Sequence, residues 1–262
     1  MLLLTLAALV LNSCTQPAEN ESVQAPIPEQ AYFQIQMFNY EQPEQAEQLE
    51  TYFEQALLPA LHRAEIAPVG VFKPIEELEE IKNYVLLLIP FQSLKQFEEL
   101  PALLKQDSIY QEAGSAYINA PHDQAPYARI ESFILRAFSA TPTRMLPELS
   151  SPRKDRVYEL RSYEAATEKL YQLKVEMFNE GESALFQELK FNPVMFSEVL
   201  SSSHMPHLMY MVTHADTAAQ RQNWAAFGNH PEWHRMRDLE RYQNTVSSIT
   251  RYQMYPTEYS DY

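Results

Sequence analysis

The stretch "RVYELRSY", residues 156–163, alternates as a strand does, with Tyr158 and Leu160 on one side and Glu159, Arg161 and Tyr163 on the other. An acid and a base set among bulky neighbours need partners, because an unpartnered buried ion costs several kcal/mol in desolvation. The stretch has a counterpart upstream. Setting "YFQIQMFNY" (32–40) beneath "VYELRSYEA" (157–165) aligns Phe33 with Tyr158, Ile35 with Leu160 and Phe38 with Tyr163, and puts Gln34 and Gln36 where Glu159 and Arg161 stand.

The segments downstream of the two stretches also match in order. Leu49, Tyr52, Phe53, Ala56, Leu57, Ala60 and Leu61 recur at helical spacing in the first copy, as Leu170, Leu173, Met177, Leu185 and Leu189 do in the second. Pro59 and Gly181 interrupt these helices and predict a kink in each. Two apolar strands come next in each copy, "APVGVFK" and "NYVLLLIPF", then "NPVMFSEVL" and "PHLMYMVTH". "YVLLLI" is continuously apolar, so both of its faces should be covered. A second helix, a short helical turn ("DSIYQEAG" or "HPEWHRMR") and a closing strand complete each copy.

The order β-α-β-β-α-β occurs twice, which predicts an α+β fold of tandem ferredoxin-like units. Each unit has helices on one sheet face and nothing on the other, and a bare apolar sheet face is larger than a monomer leaves in water. The sheets should therefore close against each other as a dimeric α+β barrel, within one chain or across a homodimer. The divisions are residues 1–14 as a signal segment, 15–30 as a flexible tether and 31–138 as the first, diverged domain. A Pro- and Ser-rich linker over 139–155, the second domain over 156–256 and a tyrosine-rich tail over 257–262, expected to fray, complete the chain.

The 262-residue chain carries 35 acidic residues against 20 lysines and arginines, a net charge of −15, which argues against nucleic acid as a partner. Only 4 glycines are present, and no glycine-rich phosphate loop can be assembled. The lone cysteine, Cys14, comes directly after the apolar run "MLLLTLAALVLNS", a length suited to a signal peptide and too short to span a bilayer. "Leu11-Asn12-Ser13-Cys14" resembles a bacterial lipobox, which predicts lipidation at Cys14, a membrane anchor and a location in the cell envelope.

The second copy is similar to a NIPSNAP domain through "YELRSY", the "WAAF" of 224–227, the "HPEW" of 230–233 and the closing "SSITRY". The first copy carries "FQIQMF" and no "PEW". The resemblance implies membership of the dimeric α+β barrel superfamily, whose members include small monooxygenases and haem-handling proteins with a pocket between sheet and helices. Its NIPSNAP branch has no agreed activity and is linked to protein contacts.

Among candidate residues, His204, His207, His214, His230 and His234 are read as solvated or capping rather than metal-binding, and no cofactor is expected. His230 precedes Pro231, a favoured first helical position, and Asp107 holds the matching place in the first copy. Trp224 and Trp233 are read as core, and the carboxylate pairs Glu79/Glu80 and Glu98/Glu99 as solvated faces. Alternation is expected to send Glu159, Arg161 and Tyr163 toward the barrel interior opposite Gln34, Gln36 and Phe38, either pairing the halves or lining a pocket for a small organic acid or quinone-like molecule. Two functions are consistent with these residues: a non-catalytic binding or scaffold lipoprotein, or a monooxygenase- or isomerase-like enzyme with a polar pocket.

Overall fold

The computed structural model describes residues 29–262. The signal segment, Cys14 and nearly all of the tether lie outside them. In the first half, β1 (Tyr32–Asn39) leads into α1 (Pro43–Tyr52), a wide π turn (Phe53–Leu57) and α2 (Leu58–Arg63). The chain continues through β2 (Gly70–Pro74), β3 (Tyr84–Phe91), α3 (Leu94–Gln106), α4 (Ser108–Ala113), α5 (Ser115–Ile118) and β4 (Arg129–Ala137). The second half repeats the order with β5 (Val157–Glu164), α6 (Glu168–Met177), a second π turn (Phe178–Glu182) and α7 (Ser183–Glu188). It ends with β6 (Met195–Ser201), β7 (His207–His214), α8 (Thr217–Asn229), α9 (Pro231–Arg237) and β8 (Ser248–Pro256).

The helix starts are set by short polar side chains. Ser93, Asp107, Thr167 and Asp216 each accept a backbone N–H of the first turn, and the His230 ring accepts that of Glu232. Both interruptions in the long helices become π turns. Before Pro59, which has no N–H to donate, the N–H of Leu58 reaches Phe53 across the wider turn. In the second half Gly181 occupies the π turn, where an added Cβ would stand 2.9 Å from Met236 Sδ of α9.

All neighbouring strands are antiparallel, and they close in the order β1-β3-β2-β8-β5-β7-β6-β4. One chain therefore supplies the whole barrel. The halves meet at two short seams: β2 with β8 through Phe72↔Pro256 to Pro74↔Met254, and β4 with β6 through Leu135↔Val199 to Ala137↔Ser197. An Arg136–Glu198 ion pair reinforces the second seam.

Alternation sorts the side chains into three cores. Phe33, Ile35, Phe72, Leu86, Tyr158 and Met211, with others from every strand, fill the barrel. Two outer cores lie between sheet and helices, one in each half. β3 is buried along its full length because its even-numbered residues face the barrel and its odd-numbered residues face the helices. The tail does not fray. Ser260 Oγ and Asp261 Oδ2 accept the amides of Val71 and Val69, Arg153 binds the main-chain oxygens of Thr257, Ser260 and Tyr262, and the Tyr262 ring packs against Phe72 and Tyr158 at the barrel's end. Backbone contacts that composition does not reveal hold it down.

The matching π turns expose a difference between the halves. Leu49 and Leu57, both buried, occupy the places held in the second half by Lys174 and Glu182, whose charged ends meet at 2.6 Å. Lys174 Nζ also lies 4.9 Å from the Phe178 ring centre. Desolvating both ions offsets much of their attraction, whereas removing one partner strands the other. Replacing both by leucine, Lys174→Leu with Glu182→Leu, should leave stability to urea unchanged or raised. Either single change should cost about 3–5 kcal/mol.

Candidate functional site

Glu159, Arg161 and Tyr163 share a face of β5, and it is the outer one. Tyr158, Leu160 and Ser162 point into the barrel, so the polar residues lie beneath the helices and not in the interior. Gln34 and Gln36 occupy the outer face of the other half's sheet, where Gln34 donates to Ser132 Oγ at 3.0 Å. They do not meet Glu159 or Arg161. A link across the pseudo-twofold is excluded because each set is covered by its own helices.

The partners of β5 come from β8 and α8. In the β5–β8 register Glu159 faces Gln253 and Arg161 faces Arg251. Across them α8 lays Gln220 and Trp224, one helical turn apart and hence on one side of the helix. Glu159 Oε1 takes the Arg161 guanidinium, with Nε at 2.7 Å and Nη2 at 2.6 Å. Glu159 Oε2 accepts from Gln220 Nε2 and Trp224 Nε1, each at 2.8 Å. The guanidinium carbon of Arg161 stands 3.7 Å from the Trp224 ring centre, a cation–π stack. Gln220 also donates to Gln253 Oε1 at 2.8 Å, and Tyr163 and Tyr210 share a hydroxyl hydrogen bond at 2.7 Å.

A fourth group completes the shell around Glu159. His214 Nε2 lies 3.7 Å from Glu159 Oε2, beyond hydrogen-bond reach. Its other ring nitrogen has a partner. The Lys190 carbonyl, which can only accept, fixes the Asn223 amide nitrogen as a donor, and that nitrogen also lies 3.1 Å from His214 Nδ1. Nδ1 therefore accepts from Asn223, and the Nε2 edge of the ring faces the carboxylate. Burial alone would raise the Glu159 pKa, but His214, the Arg161 charge, Gln220 and Trp224 outweigh it and hold the carboxyl down at about 2. Glu159 is thus a saturated anion at neutral pH, a poor proton acceptor that anchors Arg161.

Outward from this pair the cluster opens into a groove of about 420 Å³ lined by Glu159, Arg161, Gln220, Arg221, Trp224, Arg251 and Gln253. Arg161 is spoken for by Glu159. Arg221 and Arg251 are exposed and form no ion pair among the described residues. Trp224, expected in the core, is half-buried and forms a wall of the groove; Trp233 packs at the edge of the outer core. The spacing of Gln220 and Trp224 was the signal for this cluster, since the two can meet one strand residue only if α8 lies directly over β5.

Other candidates are dispersed. His207 and His214 take opposite faces of β7, as its alternation requires. His207 lies between Ser162 Oγ and Ser202 Oγ, each at 2.7 Å, and burial with the nearby His204 lowers its pKa to about 4. Glu79 is not a solvated surface acid: its Oε1 accepts the Gln253 amide at 2.8 Å.

The barrel, its helices and the element order give the molecule a dimeric α+β barrel-type fold. It is similar to a candidate monooxygenase from Lactobacillus acidophilus NCFM, with 8% identity over 87% of this chain and 94% of that one, at a TM-score of 0.57. It is also similar to one from Fusobacterium nucleatum subsp. nucleatum, with 6% identity over 87% and 93%, at a TM-score of 0.55. Residues 158–261 match the NIPSNAP family model. A NIPSNAP-like domain protein from Burkholderia xenovorans matches with 12% identity over 40% of this chain and 89% of that one, at a TM-score of 0.37. No curated protein sequence matches the chain.

The lowered Glu159 pKa links stability to pH. A depressed folded-state pKa contributes stability that is present above the ordinary value of 4.5 and is lost as pH falls toward about 2. The shift corresponds to on the order of 3 kcal/mol. Glu159→Gln should therefore be less stable than the parent at pH 7, with the gap closing on acidification to pH of about 2. Urea midpoints measured across that window check it, and a constant gap would show that the Glu159 charge contributes nothing.

Proposed function

We propose that the protein is a non-catalytic binding module of the cell envelope, tethered through a lipid on Cys14, that captures an anionic group of its ligand in the groove between α8, β5 and β8. The observation that carries this reading is the arrangement of cations there. One guanidinium is locked in place by Glu159 and Trp224, and two more, Arg221 and Arg251, stand beside it with no ion partner among the described residues. In a chain of net charge −15, a local group of arginines is a site where an anion is drawn in against the general field. Arg161 is already paired with Glu159, so the ligand's charge falls to Arg221 and Arg251, the exposed cations of the groove.

The alternative is a monooxygenase- or isomerase-like enzyme, of which the names of the similar Lactobacillus and Fusobacterium proteins support the monooxygenase form alone. Such a reaction needs an enclosed chamber facing a titratable group. The barrel centre is instead occupied by Phe33, Phe72, Tyr158 and their neighbours, and the Glu159 groove opens to solvent.

Titration with glutarate, monitored by tryptophan fluorescence, should give a saturable change that weakens with salt. The double variant Arg221→Glu with Arg251→Glu should reduce the affinity about tenfold or more. An unchanged affinity in that variant would remove the groove from the function. For the tether, Cys14→Ser should release the protein from membranes; persistent attachment would overturn the lipid anchor.

A further inference from the structure

We propose that the outer edge of β8 accepts an extended segment of a partner polypeptide as an added strand, with an acidic side chain of that segment on Arg251 and Arg221. The inference deepens the binding reading above and rests on the same cations, but it adds main-chain pairing, which a free small acid cannot supply.

β8 is paired with β5 along Ser248–Met254, whereas β2 reaches it only between Phe72↔Pro256 and Pro74↔Met254. The ladder on the β2 side continues one step further, with the Ile75 amide donating to the Gln253 carbonyl at 2.9 Å. There the chain turns away, closed by the Leu78 amide on the Ile75 carbonyl, and the Glu79 carboxylate takes the Gln253 amide in place of a strand. Gln253 therefore directs its main-chain groups away from β5. In an antiparallel ladder that direction alternates by residue, so Arg251 and Ile249 direct theirs the same way, to an edge with no neighbouring strand among the described residues.

The edge borders a second groove, of about 350 Å³, between β8 and the Leu78–Ile81 turn. This groove and the arginine groove share Arg251 and Gln253, so they form one continuous surface. Ile81, Ile249 and Leu78, which are 62%, 49% and 39% exposed, line one end beside the exposed Glu80 and the Glu79 carboxylate already held by the Gln253 amide, and Arg251 and Arg221 line the other end. Open amides and carbonyls beside alternating side-chain sites are the elements of strand addition. The charge selects the occupant. A second copy pairing β8 with β8 would bring two molecules of charge −15 together and use none of the arginines on an acid. A segment with β-branched residues around an Asp or Glu satisfies both ends of the surface.

The test uses a fluorescein-labelled, end-capped peptide, Thr-Val-Thr-Val-Asp-Val-Thr-Val, read by anisotropy against the full chain. Saturable binding is expected, with a loss of about tenfold or more in Arg251→Glu and in a peptide with Lys in place of Asp. Ile249→Pro should abolish binding while leaving the fold intact by circular dichroism, because the amide it removes points away from β5. Methylating peptide amides one at a time should abolish binding at alternate positions only. Binding indifferent to N-methylation and to Ile249→Pro, or no saturable binding, would overturn strand addition, as would sedimentation showing that the chain pairs with itself through this edge. Because glutarate does not need the strand edge, a positive glutarate titration with a negative peptide result sinks this inference alone.

Discussion

The molecule depends on the mutual covering of two sheet faces. Each half makes a four-stranded sheet whose helices lie on one side, and the other side is as apolar as a domain core. Neither half can leave that side in water. Closure into one barrel solves the problem for both at once, yet it is secured by short seams, a few residue pairs at β2–β8 and at β4–β6. Apolar burial supplies the attraction, and the seams set the angle at which the sheets meet. Their shortness also leaves strand edge over, which is why the outer part of β8 lies open beside a groove.

With the interior given to apolar packing, the polar clusters lie in the layer between sheet and helix. There the halves diverge. The first half keeps Gln34 on a neutral hydroxyl and a leucine pair at its π turn; the second places an acid and a base at the corresponding points of both strand and helix. A carboxylate beneath a helix is tolerated when that helix brings donors of its own, and α8 does so with Gln220 and Trp224. Arg161 is thereby held rigidly at the rim of an open groove.

The repeat, the element order and the double burial of β3 were legible in the sequence because hydrophobic period and length report them directly. Which face of β5 carried Glu159 and Arg161 was not. Alternation separates two faces, but when helices cover one and another sheet covers the other, both are apolar overall, and the pattern cannot tell them apart. Polarity suggested the interior, where the halves could pair; the decisive information lay some 60 residues away, in the spacing of Gln220 and Trp224. The tail escapes a sequence reading for a related reason. Ser260 and Asp261 are held by the amides of Val71 and Val69, and no side-chain pattern records where a backbone amide will be free.

The seam between β2 and β8 joins segments roughly 180 residues apart in the chain. At ordinary translation rates of about 5–20 residues per second, the first sheet therefore waits on the order of ten seconds or longer for the strand that closes it. During that interval its apolar face and the edge of β2 are without their cover. The order of the chain thus leaves the first half with an apolar sheet face that only the second half of the same chain can cover.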